Sequence, residues 1–233
     1  MSRPVCAIVG VGPGNGAAFA RRFADEGYAT ALLARSASYL EELTSEIEGS
    51  RAFPWDVTDS AAAPEVFAQI RDQLGPVSVL VYNAGAGAFG TIDDITEADL
   101  VRAFEVNALG CLTATKQVLP DMRRAASGNV VVIGATASVR GGDRFAAFAP
   151  AKAAQRSLAQ SMARHLGRDG IHVSYVVIDG VIDLTRTRQM LSDEPDELFL
   201  QPADIAETVF HLTRQPRSAW TFELDLRPFC EKW

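Results

Sequence analysis

The fold is decided by one stretch near the start of the chain, where an apolar run meets a glycine turn. Val5–Val9 (VCAIV) has the length and composition of a buried strand, and Gly10–Gly16 (GVGPGNG) follows it directly. Glycine adopts backbone dihedral angles that are closed to other residues, and it lets main-chain N–H groups approach a pyrophosphate at a helix N-terminus, where the helix dipole favours anions. A helical pattern begins after the turn, so the stretch predicts a strand–turn–helix unit that binds a dinucleotide.

The register of the glycine turn stays open at this level. The spacing G-x-x-x-G-x-G fits Gly10, Gly14 and Gly16. The spacing G-x-G-x-x-A fits Gly12, Gly14 and Ala17 equally well.

The rest of the chain alternates short apolar runs with longer helical patterns. Strands are predicted at Val5–Val9, Ala29–Leu33, Arg51–Trp55, Val77–Tyr82, Val130–Ile133, Ile171–Ile178 and Trp220–Leu226. Helices are predicted near Ala17–Glu26, Ser38–Glu48, Ala61–Leu74, Glu97–Leu119, Ala146–Leu166 and Ala203–Thr213. This alternation predicts a doubly wound, Rossmann-type α/β fold, in which a parallel seven-stranded sheet carries helices on both faces. No repeat or linker divides the chain, so residues 1–233 are expected to form a single dinucleotide-binding domain.

Composition excludes several classes of function. The 233 residues carry 22 Lys and Arg against 29 Asp and Glu, a formal net charge of −7 that argues against non-specific binding to nucleic acid or to an anionic membrane. No apolar run of about 18 residues predicts a transmembrane helix, and no signal-peptide pattern opens the chain. The cysteines are widely spaced and form no C-x-x-C pair, which indicates reduced thiols in a cytoplasmic protein. The three histidines lack ligand spacing, so no metal site is expected.

The end of the second predicted strand bears on the choice of cofactor. An acidic residue there would bind the ribose 2′-hydroxyl of NAD, whereas an arginine accommodates the 2′-phosphate of NADP. The sequence from 32 to 36 is LLARS, without an acid and with Arg35 directly after the strand. A guanidinium pairs well with a phosphate, so NADP is favoured over NAD. The alternatives are that Arg35 caps the following helix or is simply solvated.

Several motifs, in chain order, resemble the short-chain dehydrogenase/reductase superfamily over nearly the whole chain. Gly10-x-x-x-Gly14-x-Gly16 is similar to its cofactor loop, with Val9 where threonine is usual. Asp56-Val57 is similar to the pair that contacts adenine, Tyr82-Asn83-Ala84-Gly85 resembles its Asn-Asn-Ala-Gly motif, and Asp179-Gly180 stands where the family has Pro-Gly. The resemblance implies a cofactor-binding set of Gly10, Gly14, Asn15, Gly16, Arg35, Asp56, Val57, Asn83, Ala84, Gly85, Lys152 and Val181.

The same resemblance implies a catalytic tetrad of which two members are replaced. Asn107 and Lys152 are similar to the family's Asn and Lys. The family's Tyr lies four residues before the Lys, where this chain has Phe148, and its Ser lies thirteen residues before the Tyr, where this chain has Ala135. Enoyl-reductase relatives place a Tyr seven residues before the Lys, and that position is Phe145.

These replacements change the expected chemistry. In the family the Tyr hydroxyl gives a proton to the alkoxide formed from a carbonyl, and the Ser hydroxyl polarises that carbonyl. Phenylalanine has neither a donor nor an acceptor. Losing both groups costs roughly 5 kcal/mol or more of transition-state stabilisation, which disfavours ordinary ketone chemistry. Thr136 and Ser138 follow directly on the same loop, so the candidate catalytic set is Lys152, Asn107, Thr136 and Ser138.

Three functions are compatible with this pattern. The leading hypothesis is an NADP-dependent oxidoreductase with an altered acid–base set, acting on a small apolar carbonyl or conjugated substrate. The second is a dinucleotide-binding sensor or regulator without redox turnover. The third is a redox-neutral cyclase, isomerase or lyase in the same cleft, which would turn over without consuming cofactor.

Two further expectations concern the second half of the chain. The irregular stretch of residues 183–201 is either a solvated loop or a mobile substrate lid. The resemblance implies a homodimer or homotetramer, and the alternating apolar residues of the tail 219–228 fit an interface or core strand. Trp233 is as compatible with burial against a partner subunit as with a free end.

Overall fold

The sheet consists of strands that all run parallel to their neighbours. A computed structural model describes residues 3–231. Its strands are β1 Val5–Val9, β2 Ala29–Ala34, β3 Ser50–Pro54, β4 Val77–Tyr82, β5 Gly128–Ile133, β6 Ile171–Ile178, β7 Val181–Ile182, β8 Phe199–Leu200 and β9 Glu223–Leu226. Within the described residues, seven of them form the main sheet in the order β3-β2-β1-β4-β5-β6-β9, while β7 and β8 form a separate parallel pair.

Helices cover both faces of this sheet. They are α1 Asn15–Asp25, α2 Ala37–Glu46, α3 Ala63–Gln73, α4 Glu97–Phe104, α5 Gly110–Ala125, α6 Phe148–Leu166, α7 Thr185–Met190 and α8 Pro202–Thr213. Successive side chains of a strand point to opposite faces. In β1, Val5, Ala7 and Val9 pack in a core with α3, α5 and α6, whereas Cys6 and Ile8 pack in a second core with α1, α2 and α8. The doubly wound seven-stranded fold predicted from the sequence is confirmed.

The long helix predicted at Glu97–Leu119 is interrupted in the structure. It begins as α4, passes through a π-helical turn at Glu105–Leu109 and continues as α5 to Ala125. Single π turns inside α-helices are often found at functional sites. This one contains the buried Asn107.

The last strand is shorter than predicted, since β9 begins at Glu223 rather than at Trp220. The Trp220 ring stacks on His172 with 4.8 Å between ring centroids. The side chain of Gln215 accepts from the Thr221 N–H at 2.8 Å. These side-chain contacts replace strand pairing at the predicted start. Trp233 lies outside the described residues.

The stretch of residues 183–201 has regular structure of its own. It contains α7 and β8, and β8 pairs with β7. Arg188 holds the stretch together, because its guanidinium donates to both carboxylate oxygens of Asp183 at 2.8 Å and to Asp196 at 2.5 Å. The guanidinium also lies 3.9 Å from the centroid of the Phe199 ring.

Within residues 3–231 no helix is long and apolar enough to cross a membrane. In the same part of the chain, no three His, Cys, Asp or Glu side chains are grouped closely enough to hold a metal ion. Cys6 and Cys111 are buried free thiols, and Cys230 is an exposed one.

Candidate active site

The strand order of the main sheet reverses between β1 and β4. The chain winds from β1 outward through β2 and β3, then returns to the other side of β1 to form β4. In open α/β sheets, ligands bind at the point where the strand order reverses, outside the carboxyl ends of the strands. The glycine turn and the loop that follows β4 both lie at this point.

The structure favours one register of the glycine turn. Gly10 has a φ of 91°, and a Cβ there would lie 2.4 Å from the Ala84 nitrogen. A Cβ on Gly16 would lie 2.6 Å from the Cα of Val11, whereas one on Gly12 would meet nothing within 4 Å. Backbone packing therefore requires glycine in the G-x-x-x-G-x-G register and leaves Gly12 facing open space.

Asn83 holds this turn by two hydrogen bonds, and a second asparagine, Asn15, lies at its end. The Asn83 main-chain N–H donates to Val9 O at 2.8 Å, and its side-chain Nδ2 donates to Gly10 O at 2.7 Å. In the first turn of α1, Asn15 is buried and its Oδ1 has no hydrogen-bond partner within the described residues. A buried acceptor without a partner is unfavourable unless a ligand or water donates to it.

Arg35 and Asp56 lie at the neighbouring strand ends. Arg35 is exposed, and the residue that caps α2 is Ser36, whose Oγ accepts from the Tyr39 N–H at 3.4 Å. The alternative that Arg35 caps the helix is therefore not what the structure shows. Hydrogen bonds from Thr58 hold the pKa of Asp56 below its usual value, and Arg102 and Arg35 add smaller electrostatic effects. Val57 packs near Gly110, since a Cβ added to Gly110 would lie 3.0 Å from the Val57 Cβ.

Lys152 lies on α6, and its buried side chain reaches the end of β5. Its Nζ donates to Ile133 O and to Gln155 Oε1, both at 3.0 Å. An ammonium group carries three N–H donors, so these two bonds leave one. Burial lowers the pKa of Lys152 to about 8, while the neighbouring Cys111 has a smaller opposing effect.

Asn107 approaches Gly85, as the lysine does. Its Nδ2 donates to Ala86 O at 2.6 Å and to Ala103 O at 2.8 Å. Its Oδ1 is buried and has no partner within the described residues. A Cβ on Gly85 would lie 3.5 Å from this oxygen and 3.6 Å from Lys152 Nζ. The structure thus brings Asn107, Lys152 and Gly85 together.

An aromatic cluster forms the adjoining wall. The rings of Phe89, Phe145 and Phe148 pack edge to face, with centroid separations of 5.6, 5.6 and 6.2 Å. Phe89 is 59% exposed and Phe145 is 37% exposed. Lys152 Nζ lies 5.9 Å from the centroid of the Phe148 ring. The site therefore has an accessible apolar side next to its buried cation.

The two hydroxyls predicted to replace the family's donors are both engaged. Thr136 Oγ1 donates to Asp179 Oδ1 at 2.6 Å. Ser138 is buried, and its Oγ donates to Ala135 O at 2.6 Å. Because a hydroxyl has a single proton to donate, neither offers a free donor in this arrangement.

Two more residues of the motifs have definite places. Tyr82 is fully buried and its hydroxyl donates to Val106 O at 2.5 Å, so it belongs to the core beneath the site. Burial raises the pKa of Tyr82. Val181 opens β7 and pairs with Phe199 of β8, beside the site.

The sequence pattern missed two residues of the site, Gln155 and Phe89. Gln155 is fully buried between Lys152 and Asn107. A signal existed for it, because residues three apart on a helix share a face and Gln155 follows Lys152 at that distance. Phe89 lies between β4 and α4, where no periodic pattern exists.

Comparisons with known proteins agree with this architecture. The family model described as short chain dehydrogenase matches residues 4–196. A curated relative, the 2,3-dihydro-2,3-dihydroxybenzoate dehydrogenase of Bacillus subtilis (strain 168), is 28% identical over 227 residues, which cover 88% of this chain and 87% of the relative.

Solved structures show the same likeness. A short-chain dehydrogenase from Rhodopseudomonas palustris superposes with a TM-score of 0.82 at 31% identity, covering 97% of this chain and 99% of the other. An alcohol dehydrogenase from the archaeon Thermococcus sibiricus, in complex with 5-hydroxy-NADP, superposes with a TM-score of 0.87 at 28% identity and covers 99% of both chains. The family model and these relatives indicate an oxidoreductase with a Rossmann-type fold. The chain belongs to the short-chain dehydrogenase family.

Proposed function

We propose that the chain is an NADP-dependent oxidoreductase of the short-chain dehydrogenase type with an altered acid–base set. Its substrate would be a small apolar carbonyl or a conjugated compound. The observation that carries this proposal is that a buried cation, Lys152, lies near a buried acceptor, Asn107 Oδ1, which has no partner within residues 3–231. Lys152 Nζ and Asn107 Oδ1 both approach Gly85 just after β4.

The residues present fit a dinucleotide. Gly12 faces open space, and Asn15 Oδ1 is a buried acceptor without a partner in the described chain. The main-chain N–H groups at the start of α1 suit a pyrophosphate, and the exposed Arg35 suits a 2′-phosphate. The residues that would hold the cofactor are Gly10, Gly14, Asn15, Gly16, Arg35, Asp56, Val57, Asn83, Ala84, Gly85, Lys152 and Val181.

The chain's own side chains then limit the chemistry. When bound, the reduced cofactor supplies a hydride to an electrophilic carbon of the substrate. Lys152 would bind the nicotinamide ribose through its remaining N–H. Phe148 and Ala135 occupy the positions of the family's Tyr and Ser and can neither donate nor hold a proton. Substrates that need little acid assistance, such as quinones, iminium ions and conjugated enones, fit this site best. Thr136 and Ser138 remain candidates only if their hydroxyls exchange partners on binding.

Residues 183–201 are proposed to act as a substrate lid. They would belong to one dinucleotide-binding domain that comprises residues 1–233. Leu184 lies directly over the glycine turn, because a Cβ on Gly14 would be 2.2 Å from Leu184 Cδ2. The Arg188 contacts would let this segment move as one unit. The assembly is proposed to be a homodimer or homotetramer. Light scattering at micromolar concentration tests this, and a monomer would contradict it.

The function is tested by titrating the purified protein with NADPH and NADH while following nicotinamide fluorescence. NADPH is expected to bind with micromolar Kd and NADH more weakly. Arg35→Ala should lower the affinity for NADPH about tenfold or more and change the affinity for NADH little, because the guanidinium would contact only the 2′-phosphate. Arg51→Ala removes another exposed arginine and should change neither. Failure of both cofactors to bind would overturn the proposal.

One observation favours a second function, a dinucleotide-binding sensor without redox turnover. The hydroxyls of Thr136 and Ser138 both donate to protein oxygens, so the site offers no ready proton donor from that loop. NADPH binding without oxidation across a set of quinones, enones and iminium ions would favour the sensor. Substrate turnover with no change in NADPH would instead indicate a redox-neutral enzyme.

A further inference from the structure

The side chain of Gln155 is a buried bridge between two residues of the site. It is fully buried on α6, three residues after Lys152 and therefore on the same face of that helix. Its Oε1 accepts from Lys152 Nζ at 3.0 Å, and its Nε2 donates to the main-chain oxygen of Asn107 at 2.9 Å. One amide thus joins the lysine to the π-helical turn.

The chemistry of the two partners fixes the orientation of this amide. An ammonium only donates, so it must face the amide oxygen, and a carbonyl oxygen only accepts, so it must face the amide nitrogen. Glutamine satisfies both partners at once. Glutamate would satisfy only Lys152, and the similarly shaped methionine would satisfy neither.

The bridge decides what Lys152 presents to the site. Ile133 O and Gln155 Oε1 take two of the three N–H donors. The tetrahedral geometry of the ammonium then sets the direction of the third. Without Gln155 the long lysine side chain would lose one of its two anchors and could rotate.

The bridge also bears on the charge of Lys152. Cys111 on α5 and Tyr175 on β6 are the titratable groups nearby, and burial raises the pKa of each, which keeps both neutral at pH 7. The Tyr175 hydroxyl lies 3.4 Å from Gln155 Oε1. No carboxylate within residues 3–231 forms an ion pair with Lys152. The ammonium is therefore stabilised by neutral oxygens, of which Gln155 supplies one.

We infer that Gln155 is a positioning residue, whose side-chain amide anchors Lys152 to the Asn107 carbonyl and keeps the lysine aimed at the bound cofactor. This inference rests on the proposed function for its purpose, but the anchoring itself can be measured without any cofactor.

The test uses the small number of lysines in the chain. The sequence contains only Lys116, Lys152 and Lys232, so protein labelled with ¹³C at lysine Cε gives three resonances. The Lys152→Met spectrum identifies the signal of Lys152. Its pKa is then measured in the wild type and in two variants, Gln155→Met and Gln155→Glu, with thermal unfolding to show that each is folded.

The variants have opposite expected effects. Gln155→Met removes an acceptor from the charged form, so the pKa of Lys152 should fall by about one unit. Gln155→Glu introduces a negative partner, so the pKa should rise by a unit or more. In parallel, Gln155→Met should lower the affinity for NADPH about tenfold at pH 7. Gln155→Glu should bind more tightly than Gln155→Met, because it still holds the ammonium.

The outcomes separate this inference from the proposed function. An unchanged pKa of Lys152 in both folded variants would overturn the inference, even if wild-type protein binds NADPH. The predicted pKa shifts in a protein that binds neither cofactor would support the anchoring while overturning the proposed function. Equal NADPH affinity in wild type and Gln155→Met would show that the anchoring does not serve the cofactor.

Discussion

The side-chain amide of Asn83 donates a hydrogen bond to the carbonyl oxygen of Gly10 at 2.7 Å. This bond ties the loop after β4 to the glycine turn after β1, and the Asn83 main chain strengthens it by donating to Val9 O. These bonds join β1 and β4 in addition to the hydrogen bonds that pair the two strands, at the end of the sheet where the proposed cofactor would bind.

Replacing Asn83 should damage both stability and binding. Asn83→Ala leaves Gly10 O without its donor, which typically costs about 1–3 kcal/mol. The midpoint of thermal unfolding should fall by several degrees, and NADPH affinity should fall with it. Asn83→Asp should be worse than Asn83→Ala, since a carboxylate would face a carbonyl oxygen. Calorimetry and fluorescence titration measure the two effects, and an unaltered midpoint in Asn83→Ala would contradict the role of this bond.

The glycine turn allows a matched pair of substitutions. Gly10→Ala forces a side chain onto a residue with φ of 91° and places a methyl group 2.4 Å from the Ala84 nitrogen. The positive φ alone costs roughly 1–2 kcal/mol, so Gly10→Ala should unfold well below the wild type. Gly12→Ala meets nothing within 4 Å and should keep the wild-type midpoint. Equal midpoints for the two variants would argue for the other register of the turn.

Lys152→Met should change stability in a manner that depends on pH. Burial lowers the pKa of Lys152 from 10.5 to about 8. Between these values the unfolded chain binds the proton more fully than the folded one, so folding is penalised below about pH 8 and the penalty disappears as pH rises past 10.5. Methionine carries no such penalty. The variant should therefore gain most over the wild type near pH 7 and least near pH 10.

Thermal unfolding of both proteins at pH 7, 8.5 and 10 measures this difference. Comparing the two proteins at each pH cancels the titration of the cysteines and tyrosines. A difference in midpoint that does not vary with pH would show that Lys152 keeps an ordinary pKa.

Phe148→Tyr combined with Ala135→Ser should create ketone reductase activity. The new hydroxyls would supply the proton donor and the polarising group of the family's mechanism, and general acid catalysis alone contributes about 10²-fold or more. Phe145→Tyr adds the same hydroxyl within the same aromatic cluster, but Phe145 precedes α6 and is not one helical turn from Lys152, so it should give no gain. NADPH oxidation with a simple aryl ketone measures the effect. An equal response of the two tyrosine variants would mean that the substrate lies elsewhere.

Arg188→Gln should loosen the stretch of residues 183–201. The arginine holds the pKa of Asp183 at about 2 through two hydrogen bonds. A lowered carboxylate pKa stabilises the folded state above about pH 4, and this contribution is lost as the pH falls towards 2. Arg186→Gln is the control, because Arg186 is an exposed arginine on the same helix.

Hydrogen exchange at pH 7 should therefore be faster over residues 183–201 in Arg188→Gln than in Arg186→Gln. Near pH 2 the rate of hydrogen exchange of the wild type over these residues should approach that of Arg188→Gln. Identical exchange in both variants at neutral pH would show that this segment does not depend on Arg188.

Much of the fold could be predicted from the sequence because the signals are local. The apolar run Val5–Val9 and the glycines after it define a strand, a turn and a helix without reference to the rest of the chain. The alternation of strands and helices then leaves few topologies. The boundaries differ from the predicted ones where side chains from distant segments intervene, as Trp220 shows by stacking on His172.

The candidate site was only half visible in the sequence. Asn107 and Lys152 could be nominated from motifs, and their proximity follows from the sheet. The engagement of Ser138 with Ala135 could not be read from the sequence, because it depends on how the loop after β5 turns.

The sequence by itself determined the doubly wound sheet and the glycine turn, since periodicity and glycine's conformational freedom act over neighbouring residues. Only the tertiary structure decided the register of that turn, the burial of Gln155 against Lys152, and the lack of a partner for Asn107 Oδ1 among residues 3–231. The reason is physical: backbone clearances, desolvation and hydrogen-bond satisfaction depend on groups that are distant in the chain and meet only after folding.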